Sequence, residues 1–197
     1  MSGKHEAVVA RQFGSQASAY LTSAVHAQGA EFERLRTMLS ARTDAGLAPA
    51  RVLDLGCGAG HVSFQVAPLA GEVVAYDLSP DMLAVVADTA AARGLGNVTT
   101  QQGAAERLPF ADATFDLVFA RAVLHHTRDL DGACREMFRV LRPGGMLIAA
   151  REHVISKEAD LPQFLAQHPL HHLYGGEHAF LLDRYTGALA SAGFSAI

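Results

Sequence analysis

The segment Val52-Leu53-Asp54-Leu55-Gly56-Cys57-Gly58-Ala59-Gly60-His61 limits the folds open to this chain more than any other. An apolar strand runs directly into three alternate glycines and then into a helix. Glycine is needed where a backbone turns tightly or lets a ligand lie against it. A dinucleotide-binding turn follows GxGxxG, and its third glycine would fall at His61, so a nucleotide-dependent oxidoreductase fits poorly. A bare βα turn that binds nothing would not need three alternate glycines behind an acid. Asp54 closes an apolar strand, where an unpaired carboxylate is costly. Its expected donors are the glycine-loop amides or the ammonium group of a ligand.

From residue 51 onward, strands and helices alternate. Strands are expected at 51–55, 72–76, 98–101, 115–120 and 146–150, and helices at 59–68, 80–93 and 130–141. The strands are short, apolar and poor in alternation, as in a parallel sheet covered on both faces. Strand–helix alternation implies right-handed βαβ units, and such sheets bind ligands at the carboxyl ends of their strands. Ser79 and Pro80 supply an N-cap and a first helical residue. Before the sheet, 5–42 reads as helical with a break near Gly14-Ser15, and is clearest over 31–40. After 151, helices are expected at 158–167 and 183–192. Ser195-Ala196-Ile197 looks like the opening of another strand.

Asp77 ends the second strand, one βαβ step from Asp54. A carboxylate there can accept both hydroxyls of a ribose. It could instead be a helix N-terminal acid, but Ser79 fills the capping role better. The segment Gln102-Gly103-Ala104-Ala105-Glu106-Arg107-Leu108-Pro109-Phe110 follows the third strand and could wall an adenine ring. The run from Phe115 to His126 carries the chain off the fourth strand into the crevice.

These residues, in this order, resemble the class I S-adenosylmethionine-dependent methyltransferases, in the type 11 branch that contains the ubiquinone/menaquinone C-methyltransferases. The stretch Gln12-Phe13-Gly14-Ser15-Gln16-Ala17-Ser18-Ala19-Tyr20 is similar to a YafE-like group within it. The resemblance covers roughly 8–150. It implies an α/β, Rossmann-like three-layer sandwich with a mostly parallel sheet, an N-terminal helical lid over 1–50 and a cofactor-binding domain over 51–197. It also implies S-adenosyl-L-methionine as cofactor. Gly56, Cys57, Gly58 and Gly60 would pass beneath its methionine part, and Asp54 would order that loop and the amino group. Asp77 would hold the ribose. Leu78, Met82, Gly103, Ala104, Ala105 and Glu106 would surround the adenine. Arg121 would stand near the methionine end, and Tyr20 and Phe13 in the lid.

Two departures from the family pattern stand out. An acid often occupies the position of Ala104 and accepts from the adenine amine, so here Glu106 or a backbone carbonyl must serve, or affinity for the cofactor is lower. The family usually closes its sheet with an antiparallel strand pair, and this chain has room only for the start of one. The expectation is either a truncated product or an edge completed by a partner chain, as in a homodimer.

Methyl transfer from a sulfonium is an in-line displacement, and much of its catalysis comes from positioning. A base is needed only if the acceptor loses a proton. His125, His126 and His153 are the candidates, with Glu152 beside them, since all follow the fourth or fifth strand. Any of these histidines could instead pack or cap locally. The tail His168-Pro169-Leu170-His171-His172-Leu173-Tyr174-Gly175-Gly176-Glu177-His178 is rich in histidine, but Pro169 interrupts the helix that shared metal ligation would need, and no HExxH occurs. No metal is assigned, and the tail reads as a polar loop or substrate cap. Cys57 sits at a helix start, where a thiol can be activated, though a small residue that merely fits is the commoner case. Cys134 reads as core.

Composition sets the remaining limits. With 197 residues, one domain is expected. The net charge is −4 and no long basic run occurs, which argues against nucleic acid as a partner. No apolar run reaches a membrane-spanning length, and two unpaired cysteines fit a cytoplasmic protein. The expected function is methyl transfer to a small-molecule acceptor, quinone-like or another small metabolite. A non-catalytic S-adenosylmethionine-binding protein is the alternative, and a nucleotide-dependent oxidoreductase the weaker one.

Overall fold

The computed structural model describes residues 2–14, 21, 29–45, 48–174 and 176–195. Its centre is a five-stranded sheet, β1 (Arg51–Leu55), β2 (Glu72–Asp77), β3 (Val98–Gln102), β4 (Phe115–Arg121) and β5 (Leu141–Ala150), in the order β3-β2-β1-β4-β5. Every neighbouring pair in that sheet is parallel. The strand order reverses between β1 and β4, so their carboxyl ends part and leave a crevice.

The period-two alternation of the strands builds the layers. Leu53, Leu55, Val74, Tyr76, Val118 and Ala120 face one side, against Leu130, Cys134 and Met137 of α5 (Leu130–Val140) and Tyr185, Ala188 and Leu189 of α8 (Leu182–Ala192). Val52, Val73, Leu117 and Phe119 face the other side. There they meet Phe32, Leu35 and Leu39 of α2 (Ala30–Asp44) and Val62 and Val66 of α3 (His61–Val66). Ala75 on that face packs with Leu83 and Val86 of α4 (Pro80–Ala92). The result is the expected three-layer sandwich. Ser79 caps α4 by accepting from the Met82 amide, and Asp129 caps α5 by accepting from that of Gly132.

Three details differ from expectation. β3 is a polar, largely exposed edge strand rather than one buried on both faces, because only β2 adjoins it. β5 begins at Leu141, not 146: Leu141 pairs with Phe115 and Met146 with Leu117, so Arg142–Gly145 bulge out between the two pairings, with Gly144 at φ 77°. After β5, a two-residue parallel pair forms between β6 (Val154–Ile155) and β7 (Phe180–Leu181), not part of an antiparallel hairpin. Ser195 is not in a strand, and residues 196–197 lie outside the described ones. α6 (Leu161–Gln167) ends before the histidine-rich tail, and Pro169 opens a separate helix within it, α7 (Pro169–Tyr174), where a polar loop was expected. The first helix, α1 (Ser2–Gly14), packs against α4 and α7.

Candidate functional site

A cavity of about 290 Å³ opens at the carboxyl ends of β1, β2 and β4. On one side lies the glycine loop. Gly56, Gly58 and Gly60 all have positive φ, at 67°, 50° and 86°. They are not equivalent. A Cβ on Gly56 would lie 2.4 Å from Val123 Cγ2, so packing alone demands glycine there. A Cβ on Gly58 would meet nothing within 4 Å among the described residues, because this residue faces the cavity. Gly60 caps α3 in the left-handed region, its Cα turned to Phe64 and Val86, and does not reach the cavity.

The two acids divide the work differently from expectation. Asp54 does not order the glycine loop. Its Oδ2 accepts from the amide and the hydroxyl of Ser63, at 3.0 and 2.6 Å, because its side chain points to the first turn of α3. Burial raises its pKa to about 7, against the opposing effect of the Ser63 bonds. Asp77 holds the loop instead: Oδ2 accepts from the Gly58 amide and Oδ1 from that of Ser79, each at 2.9 Å. Burial is the largest influence on Asp77 and raises its pKa, with the backbone donors acting against it. Both acids line the cavity, as do Cys57, Leu78, Met82, Gly103, Ala105, Glu106 and Arg121. Ala104 does not line it; its carbonyl accepts from the Tyr76 hydroxyl at 3.1 Å. Glu106 Oε1 accepts from the Arg128 amide at 2.9 Å. Arg121 donates to Glu31 at 2.9 Å and lies over the Phe32 ring. Burial, with Asp77 and Asp54 close by, raises the Cys57 thiol well above its ordinary value, which removes any activated thiolate. Tyr20 lies outside the described residues.

The other side of the cavity is a histidine cluster, and the backbone is bent to build it. β4 and β5 each run into a non-glycine residue in the left-handed region, Ala122 at φ 52° and Arg151 at φ 58°. Such residues cost about 1–2 kcal/mol each and mark places where the chain is forced to turn. Beyond Ala122, a 3₁₀ turn presents His125 and His126; beyond Arg151 come Glu152 and His153. Glu152 ties the two segments. It accepts from the amides of Val123 and His125, and its Oε2 lies 2.6 Å from His125 Nδ1. His125, His126 and His153 therefore converge as the sequence suggests, and their rings are close: 4.2 Å between the centroids of His125 and His126, 3.9 Å between those of His125 and His153.

Glu177 was not foreseen. It is buried, lines the cavity, and accepts through Oε1 from the side-chain amide of Gln12 on α1. The sequence signal that could have found it is its place in the histidine-rich tail, directly after Gly175-Gly176. Phe13 of α1 stands edge-on to His126, with centroids 5.0 Å apart, and Glu6, Val9 and Phe13 line the cavity from this helix. Among the described residues, no helix is long and apolar enough to cross a membrane.

Comparison with known proteins gives a consistent result. Residues 53–149 match the family model described as a methyltransferase domain. The chain is 53% identical to YafE of Escherichia coli over 93 residues, 47% of this chain and 45% of that protein. It is 35% identical to the methyltransferase YcgJ of Bacillus subtilis over 153 residues, 78% of this chain and 58% of that one. The YcgJ crystal structure superposes with a TM-score of 0.67 at 27% identity, covering 81% of this chain and 69% of that one. It is also 42% identical over 102 residues to the ubiquinone/menaquinone biosynthesis C-methyltransferase UbiE of Vibrio vulnificus, 50% of this chain and 39% of that protein. The chain thus spans about half the length of these curated relatives.

Proposed function

The chain belongs to the class I S-adenosylmethionine-dependent methyltransferases, and from that premise we propose that it transfers a methyl group to a small-molecule acceptor. One observation carries the reading: a single cavity joins the open backbone of Gly58 and the Asp77 carboxylate to the His125–His126–His153–Glu177 cluster. A donor side and an acceptor side thereby share one chamber.

The family's cofactor suits the first side. The bare Cα of Gly58 leaves room for a ligand against the backbone. Each Asp77 oxygen uses one backbone donor and keeps a further lone pair, which can accept a ribose hydroxyl. Gly56, Cys57 and Gly58 would pass under the methionine part, Leu78, Met82, Gly103, Ala105 and Glu106 would surround the adenine, and Arg121 would stand near the methionine end. Bound there, S-adenosylmethionine supplies an electrophilic sulfonium methyl group.

The chain's own residues then orient the acceptor and exclude water. His126 gives its Nδ1 hydrogen to the Gly176 carbonyl at 3.0 Å, which leaves Nε2 as an acceptor. Burial, with His125 close by, lowers its pKa to about 4. So weak a base accepts a hydrogen bond from an acceptor hydroxyl and aims it more readily than it removes the proton. His125 and His153 contribute the adjoining wall. Of the expected lid over 1–50, α1 takes that part, covering the cavity with Val9 and Phe13, whereas α2 belongs to a layer of the sandwich. The likeness to UbiE and the apolar members of the lining favour a quinone-like or similarly flat small acceptor.

The test is formation of S-adenosylhomocysteine from S-adenosylmethionine across a panel of phenols, quinols and enolisable carbonyl compounds. Acceptor-dependent product supports the proposal. Cofactor binding without product from any acceptor would favour a non-catalytic binding protein.

A further inference from the structure

Glu177 Oε2 occupies an unusual position. It lies 3.6 Å from His153 Nδ1, 4.0 Å from His125 Nε2, 3.9 Å from His126 Nε2 and 3.9 Å from His168 Nε2. The Glu177 side chain is only 2% exposed, yet among the described residues neither its Oε2 nor His153 Nδ1 has a hydrogen-bond partner. Such an atom is costly to bury unless something charged satisfies it.

The surrounding contacts orient the rings: the His153 amide also approaches His125 Nδ1, at 3.4 Å. His125 Nδ1 faces the Glu152 carboxylate at 2.6 Å, and His126 Nδ1 faces the Gly176 carbonyl at 3.0 Å. The Glu152 carboxylate is an acceptor, so a hydrogen on His125 Nδ1 turns the lone pair of the neutral ring, on Nε2, toward Glu177. Glu177 Oε2 and the facing nitrogens of His125 and His153 thus converge at 3.6–4.0 Å, beyond hydrogen-bond distance. A cation among them would satisfy all three.

We infer that His125 Nε2, His153 Nδ1 and Glu177 Oε2 bind a divalent first-row transition metal ion. One ligand atom from each of these residues lies within 4.8 Å of the others, and Glu177 Oε2 is 3.6 Å from His153 Nδ1 and 4.0 Å from His125 Nε2. Bonds of about 2.0–2.1 Å at tetrahedral angles put ligand atoms roughly 3.4 Å apart, so the cluster is already near that size. Two histidines and one carboxylate form a ligand set that leaves coordination positions open, here toward the cavity. Glu152 supplies the supporting carboxylate that a metal-binding histidine ordinarily has on its other ring nitrogen. The His125 and His153 rings are stacked, with 22° between their planes, so one must turn for both lone pairs to meet a single ion. His125 is locked by Glu152, whereas the His153 side chain is 29% exposed and is the one that turns.

The site stands on this geometry. Its use rests on the methyl transfer proposed above: the ion would hold an acceptor oxygen against the cavity wall and favour its deprotonated form.

The test is zinc uptake by the untagged, chelator-treated full chain, read by competition with a chromophoric chelator, with S-adenosylmethionine binding measured on the same samples. One zinc per chain is expected. Glu177→Gln and His153→Ala should lose that uptake while binding S-adenosylmethionine normally, which shows that they are folded. Glu152→Gln should weaken zinc by about 10–100-fold. His172→Ala, an exposed ring bonded to the Ala166 carbonyl, should leave uptake unchanged. No zinc uptake by the native chain, or equal uptake by Glu177→Gln and His153→Ala, would overturn the inference and leave a shared proton in the cluster. Zinc uptake without methyl transfer would keep the site and remove the proposed function, and methyl transfer without zinc uptake would do the reverse.

Discussion

The backbone amide of Gly58 donates to Asp77 Oδ2 across 2.9 Å, so the acid at the end of β2 holds the glycine loop that follows β1. One carboxylate therefore shapes the floor of the cavity and faces into it. Asp77→Ala should weaken S-adenosylhomocysteine binding by about 1.5–3 kcal/mol, as expected for losing hydrogen bonds to a charged group. Titration calorimetry reads this directly. Unchanged affinity in a folded variant would remove Asp77 from the cofactor site.

Two glycines of the loop should respond oppositely to the same change. At Gly58 an added methyl group enters the cavity, so Gly58→Ala should fold with a loss of only about 1–2 kcal/mol for its positive φ. Its cofactor binding should be lost. At Gly56 the methyl group strikes Val123, so Gly56→Ala should lower the melting temperature further. A Gly58→Ala variant that binds the cofactor normally would contradict the assignment of the open loop.

Asp54 predicts a pH dependence of stability. Its folded pKa is raised from 3.8 to about 7 by burial. As pH rises through that range, the unfolded chain releases the proton first, so this group lowers stability between about 4 and 7 and changes it little above. Asp54→Asn removes the effect. The stability of the variant relative to the native chain should rise across that window by about 1–4 kcal/mol, read from denaturant melts at pH 4 and pH 8. A difference independent of pH would show that Asp54 titrates normally.

Cys57 should be inert despite its place at a helix start. It is buried beside two acids, and its thiol is held well above its ordinary value. Alkylation by iodoacetamide at pH 8 should be slower than that of a free thiol, with mass spectrometry reading the rate. Rapid modification in the folded chain would show an activated thiolate.

Much of the fold was legible because it depends on local patterns. The buried strands β1, β2 and β4, the Ser79 cap and the glycine loop each follow from neighbouring residues. The start of β5 was not, because Arg142-Pro143-Gly144-Gly145 reads as a terminator, and only pairing with β4 resolves those residues into a bulge. The convergence of His125, His126 and His153 was legible from their positions after adjacent strands. The partner of Asp54 was not: Ser63 is nine residues on, and which face of β1 an acid occupies depends on register. Glu177 was hidden for a similar reason, since its approach to His125 depends on how α7 and β7 return to the sheet.

The account depends most on what occupies the cavity beside Gly58 and Asp77. Titration calorimetry of the chain with S-adenosylmethionine and, separately, with NAD tests this most directly. The expected result is one molecule of S-adenosylmethionine bound per chain and no heat attributable to NAD. Binding of NAD with no binding of S-adenosylmethionine would contradict the central claim.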